Sequence, residues 1–124
     1  MGVKKVLIID DDAFMLTYIG GVLRKSDYIV LATARGSQGI ELAEAEQPAL
    51  IILDLKMPEM DGFAVLKALK DNDAAKDIPV LLLSGEASLD DVSECRALGA
   101  SNYVMKPINP AHLMDQVKEM IGTA

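Results

Sequence analysis

The chain reads as an α/β domain in which five strands and five helices alternate, (βα)5, around a parallel sheet. Three observations lead there. Five short apolar runs recur along the 124 residues: "KVLIID" (5–10), "YIVLATA" (28–34), "ALIILD" (49–54), "PVLLLS" (79–84) and "NYVM" (102–105). Most are continuous rather than alternating, which is the pattern of strands covered on both faces. Between them lie segments whose apolar residues recur at helical spacing.

Taken in order, the first run leads straight into three adjacent carboxylates, Asp10, Asp11 and Asp12. Met15, Ile19, Val22 and Leu23 then share one stripe of a helix starting near Ala13, with Asp12 as its N-cap. Gly20-Gly21 interrupts that helix at about 1 kcal/mol per glycine relative to Ala, with no function evident from the residues. After the second run, a helix over 36–46 rests on Ile40 and Ala43 with acidic residues between. The third run ends at Asp54, and the loop "MPEMDG", with Pro58 and Asp61-Gly62, is turn chemistry leading to a helix marked by Phe63, Leu66 and Leu69. The fourth run ends at Ser84. A helix near 88–98 follows, capped by Ser88, with Asp90 and Asp91 favoured in its first turn. Leu89, Val92 and Leu98 mark its apolar side, and Gly99 its stop. Lys106 follows the fifth run. Asn109-Pro110 supplies an N-cap and a proline at the first helical position, ahead of Leu113, Val117, Met120 and Ile121.

A length of 124 residues suits one domain, 1–124, and 51% hydrophobic with 25% charged residues is a soluble globular composition. Acidic residues outnumber basic ones by 19 to 12, so a nucleic-acid surface is not expected. The single Cys95 cannot form an intrachain disulfide and reads as a partly buried small apolar residue in a reducing compartment. The seven methionines read as pliant core, and His112 as a surface residue. No apolar run approaches the roughly 18 residues that span a bilayer, and "MGVKKV" carries neither a secretory pattern nor a myristoylation one. The cytoplasm is the expected location, with no membrane partner.

The chemistry collects where the strands end. Ligands of open parallel sheets bind beyond the carboxyl ends of the strands, and those ends carry Asp10-Asp11-Asp12, Asp54, Ser84 and Lys106. Several carboxylates converging there repel one another unless a cation sits among them. All-oxygen ligands without His or Cys suit Mg²⁺, or Mn²⁺, rather than zinc. Lys106 adds a compact positive charge for a phosphoryl oxygen and Ser84 a hydroxyl donor. A metal, an ammonium and a hydroxyl around one carboxylate make a phosphoryl-transfer site, in which the carboxylate itself can be the nucleophile.

In this order and spacing, "IIDDD", "LDLKMPEMDG", "LLLSG" and "YVMKP" resemble the receiver domain of two-component response regulators, over essentially the whole chain. The resemblance implies a doubly wound, flavodoxin-like sheet with strand order 2-1-3-4-5. It implies that Asp54 accepts a phosphoryl group from a phosphohistidine on a sensor histidine kinase or a histidine phosphotransfer protein. Asp10 and Asp11, with Asp54 and the main-chain carbonyl of Lys56, would hold Mg²⁺. Ser84 would hydrogen-bond the phosphoryl group, Lys106 would pair with it, and Tyr103 would reorient when Ser84 moves. A cis peptide is expected before Pro107. The function implied is a switch: phosphorylation alters an interaction surface to control a downstream effector or output domain. A phosphorylation-dependent dimer is among the arrangements the resemblance allows, and the domain catalyses no reaction beyond its own phosphorylation and dephosphorylation.

Some positions depart from the family pattern. Ser101-Asn102 stands where many transcription-factor receivers have an acidic pair, which weakens the case for their dimerisation mode, and Ile108 stands where Phe is common. Lys56 and Glu86, each two residues beyond a site residue, are expected to pair across the mouth of the site and hinder water. Two rival readings meet obstacles in the same residues. A small-molecule phosphatase with an aspartyl-phosphate needs a cap for which 124 residues leave little chain. A constitutive interaction module would have no use for the intact set of Asp10, Asp11, Asp54, Ser84 and Lys106. Both a free-standing regulator and a receiver of a longer protein fit the sequence.

Overall fold

The structure is a computed structural model that describes residues 3–55, 61–85 and 89–122, apart from the side chains of 89–92. The expected alternation is present: β1 (Lys5–Ile9), α1 (Ala13–Lys25), β2 (Ile29–Thr33), α2 (Gly36–Glu46), β3 (Leu50–Asp54), α3 (Gly62–Lys70), β4 (Val80–Ser84), α4 (Leu89–Ala97), β5 (Asn102–Met105) and α5 (Pro110–Ile121). All strand pairs are parallel and the sheet order is β2-β1-β3-β4-β5. The register aligns Ile9 with Leu53, and Leu53 with Leu82, so the strand ends lie side by side.

Alternate residues of each strand point to opposite faces, and both faces are apolar. Val6, Ile8, Leu50, Ile52, Leu81, Leu83 and Val104 pack against Ile19 and Leu23 of α1 and Leu113 and Val117 of α5. Leu7, Ile9, Ile51, Leu53, Val80 and Leu82 pack against Ala43 of α2, Val65, Leu66 and Leu69 of α3, and Cys95 of α4. Each fully buried Leu or Ile contributes on the order of 2 kcal/mol through area removed from water. A rigid sheet between two helical layers results, and its terminal side chains are held as firmly as the core below them.

Several local expectations are met and others need correction. Asp12 caps α1, accepting from the Phe14 N–H at 2.9 Å, and Asn109 caps α5 ahead of Pro110, accepting from the His112 N–H at 3.1 Å. Asp61 does more than turn the chain: its side chain accepts from the Ala64 N–H at 2.9 Å and caps α3. The buried face of α3 is Val65, Leu66 and Leu69, with Phe63 only partly covered. Cys95 is fully buried rather than partly so. Of the described methionines, Met15, Met114 and Met120 pack partly buried at the margin of the core, whereas Met105 is half exposed and departs from the core placement expected. Gly99 ends α4 at φ +107°, with the stem of Lys70 packed 3.2 Å from where a Cβ would stand. Leu98 packs partly buried against the core as expected, whereas Ser88 and the side chains of Leu89, Asp90, Asp91 and Val92 lie outside the described residues and side chains.

The turn after α2 is made without glycine. Gln47 adopts φ 48°, and its side-chain amide donates to the carbonyls of Ala43, Glu44 and Ala74. Those bonds satisfy the open end of the helix and offset the roughly 1 kcal/mol cost of a left-handed residue. Gly20 sits where α1 crosses β2, a Cβ there lying 3.6 Å from Val30, whereas a Cβ at Gly21 would meet nothing within 4 Å. Nothing in the structure explains Gly21.

Candidate functional site

Just past the regular ladder, further backbone bonds join the strand ends, β1 to β2, and both β3 and β5 to β4. The Asp10 N–H donates to the Thr33 carbonyl at 3.1 Å, the Leu55 N–H to Leu83 at 3.1 Å, and the Lys106 N–H to Ser84 at 2.7 Å. Asp10, Asp54, Ser84 and Lys106 therefore converge because the backbone leaves them no other direction. Above them lies a cleft of about 420 Å³ lined by Asp11, Asp12, Asp54, Leu55, Ser84, Gly85 and Lys106. Asp12 lines it while also capping α1.

Asp10 is completely buried. Its Oδ1 accepts from the Asp12 N–H at 3.0 Å. Its Oδ2 has no hydrogen-bond partner among the described residues and lies 3.7 Å from the Lys106 Nζ. Burial is the main cause that pushes this carboxyl up to about 6, and the negative charge of Asp54 adds to it. The Asp12 amide and Lys106 oppose the shift. Asp54 is also buried, with Oδ1 3.6 Å from the Lys106 Nζ. Lys106 thus reaches two carboxylates at ion-pair rather than hydrogen-bond distance. One cation shared by two carboxylates leaves the cluster short of positive charge.

Asp11 is exposed at the rim, and one carboxylate oxygen from each of Asp10, Asp11 and Asp54 lies within 4.8 Å of the others. Three carboxylates of one sign, one of which has a buried oxygen that no hydrogen-bond donor among the described residues reaches, fit a hard divalent cation. The Lys56 carbonyl expected to join them, and the Lys56–Glu86 pair, lie outside the described residues. Ser84 is buried at the end of β4 and faces the same cleft. Tyr103 does not line it. Half-buried on β5, Tyr103 packs against the α3–α4 side of the core and borders a separate depression with Arg96, Asn102, Met105, His112 and Gln116. His112 is exposed, as expected. The Lys106–Pro107 peptide bond is cis, in line with the resemblance.

One position at the site is stronger than sequence reasoning made it. The Gly62 N–H donates to the Leu55 carbonyl at 2.8 Å, closing the loop that follows Asp54. A Cβ at residue 62 would stand 2.4 Å from the Leu55 Cα and 2.6 Å from the Asp54 carbonyl oxygen. Only a hydrogen fits there. The Asp-Gly pair signalled a turn, but contact with the backbone of Asp54 is a long-range fact that no local pattern carries.

Comparison with known proteins agrees with this geometry. The family described as response regulator receiver domain matches residues 6–118. The polar-differentiation response regulator DivK of Brucella anthropi is 31% identical over 121 residues, covering 98% of either chain. Chemotaxis protein CheY4 of Vibrio cholerae superimposes with a TM-score of 0.91 at 30% identity, over 96% of this chain and 99% of that one. The receiver domain of sensor histidine kinase PA1611 from Pseudomonas aeruginosa, which has a magnesium ion coordinated in its active-site cleft, matches with a TM-score of 0.88 at 25% identity, over 98% and 100% of the two chains. Among the described residues no helix is long and apolar enough to cross a membrane.

Proposed function

The chain belongs to the response regulator receiver domain family of two-component signalling, and on that footing we propose that Asp54 is its phosphoacceptor. The observation that carries this reading is the position of one lysine between Asp10 and Asp54, with Ser84 and Asp11 completing the same cleft. A carboxylate oxygen of Asp54 attacks the phosphorus of a phosphohistidine on a sensor kinase or histidine phosphotransfer protein. The P–N bond breaks, and the imidazole leaves with the electron pair and takes up a proton. Asp10, Asp11, Asp54 and the Lys56 carbonyl would hold Mg²⁺, or Mn²⁺ in its place. Such an ion would supply positive charge to the acid cluster and to the phosphoryl oxygens.

Lys106 then exchanges its two carboxylates for the new phosphoryl oxygens, and Ser84 donates its hydroxyl to one of them. Tyr103 couples that movement to the face formed by α4, β5 and α5, where an effector reads it. Moving such an equilibrium from 1:99 to 99:1 takes about 5.5 kcal/mol of differential stabilisation, within the range of several charge-assisted bonds. The domain spans 1–124, acts in the cytoplasm, and does no chemistry beyond gaining and losing its own phosphoryl group.

The test is the intact mass of the protein after incubation with acetyl phosphate, in Mg²⁺ and in EDTA. Gain of one phosphoryl group in Mg²⁺ only, abolished by Asp54→Asn, is the expected result. No gain, or a gain that survives Asp54→Asn, overturns the proposal.

A further inference from the structure

We propose that Tyr18 is a positioning residue for Lys106, an inference that rests on the phosphoacceptor reading above. Lys106 is carried by the four-residue segment 106–109 that joins β5 to α5, and that segment is fastened at three points. The Lys106 N–H donates to the Ser84 carbonyl at 2.7 Å, which fixes the strand end. Asn109 accepts from the His112 N–H at 3.1 Å, which fixes the helix start. Between them Pro107 is exposed and has no N–H to give. At Ile108 the side chain packs partly buried against the core, and the carbonyl accepts the Tyr18 hydroxyl at 3.3 Å from across the α1–α5 junction.

That tether links the two sides of the cleft. Tyr18 belongs to α1, a rigid helix whose N-cap, Asp12, directly follows the acid pair and donates its own N–H to Asp10. The hydroxyl bond therefore ties the helix that orients Asp10 to the segment that presents Lys106. Their charged ends meet at 3.7 Å, and Lys106 meets Asp54 at 3.6 Å. Phe14, at 71% the most exposed large apolar residue among those described, stacks on the Tyr18 ring at 6.0 Å with the planes within 6°. The stacked ring limits the rotamers open to the tyrosine whose hydroxyl reaches Ile108. A site group must be held within about 0.5 Å of its productive geometry. The lysine stem absorbs part of any backbone slack, so losing the tether should slow transfer several-fold rather than abolish it.

A second tyrosine supplies the control. Tyr28 also donates its hydroxyl to a backbone carbonyl, that of Gly122 at 2.5 Å, at the opposite end of the sheet from the cleft. Tyr18→Phe and Tyr28→Phe each remove one such bond without changing ring packing. Wild type and both variants are incubated with acetyl phosphate, which needs no protein partner, well below their melting temperatures. Phosphorylation is followed by intact mass at saturating Mg²⁺, and the half-saturating Mg²⁺ concentration is read from the same rates. We expect Tyr18→Phe to lower the saturated rate three- to tenfold with the Mg²⁺ midpoint within twofold of wild type, and Tyr28→Phe to leave both within 1.5-fold. A Tyr18→Phe rate equal to that of a wild type that does become phosphorylated, or an equal fall in Tyr28→Phe, overturns the inference alone. A wild type that gains no phosphoryl group overturns the phosphoacceptor reading and this inference with it.

Discussion

Replacing Asp10 by Asn should make the metal-free protein more stable, although it removes a central site residue. Asp10 is fully buried, and its carboxyl is pushed up to about 6 from an ordinary 3.8, chiefly by burial and then by the charge of Asp54. A folded-state value above the unfolded one means that the proton stabilises the fold. That contribution is whole below about pH 4 and is lost as pH rises through about 6, leaving the fold at pH 7 holding an unwelcome charge. A tenfold change in proton affinity is worth about 1.4 kcal/mol, so the full penalty is on the order of 3 kcal/mol. Asn keeps an oxygen to accept the Asp12 N–H, turns the orphaned Oδ2 into an amide that can donate to Asp54, and leaves Lys106 its Asp54 partner. A gain of about 1–3 kcal/mol follows, or several degrees in melting temperature. The assay is thermal unfolding in EDTA at pH 7 and pH 5, then in Mg²⁺ at pH 7. The advantage of Asp10→Asn should shrink at pH 5, where wild-type Asp10 takes up its proton, and Mg²⁺ should raise the wild-type midpoint far more than the variant's. A variant less stable in EDTA, or one that responds to Mg²⁺ like wild type, would refute the reasoning.

Other substitutions probe separate parts of the account. Gly62→Ala must push the backbone of Leu55 and Asp54 aside, so it should cost about 1–3 kcal/mol in denaturant unfolding and slow phosphorylation even where the protein stays folded. Gly21→Ala enters open space on α1 and should stabilise by about 1 kcal/mol in the same assay, with phosphorylation by acetyl phosphate unchanged. Lys56→Ala or Glu86→Ala should speed loss of the phosphoryl group if the two residues pair across the site's mouth; unchanged dephosphorylation rates would remove that idea.

Much of this is legible in the residues because the two strongest signals are local. A continuous apolar run announces a doubly covered strand, and each run marks its strand to within one residue at either end. A polar residue that closes or directly follows a run then has only one place to go, which is why Asp10, Asp54, Ser84 and Lys106 fall to one edge from the order of four of the five runs alone. What stays hidden depends on contacts distant in sequence. The missing donor for the Asp10 Oδ2 follows from what surrounds it, and the hydrogen-only space at Gly62 from the approach of α3 to β3. Gln47 is hidden for another reason. Its left-handed backbone is sustained by a side-chain amide that reaches Ala74, so no glycine marks the turn. Cys95 similarly gives no local sign that α4 buries it completely.

The central claim is that one carboxylate among several neighbouring acids takes the phosphoryl group. Borohydride reduces an acyl phosphate to an alcohol, turning the phosphorylated aspartate into homoserine, which peptide mass spectrometry can place. After acetyl phosphate and Mg²⁺, homoserine at position 54 alone is the predicted result. Homoserine at position 10, 11 or 12, or a stable phosphate on Ser84 with position 54 intact, would contradict the account.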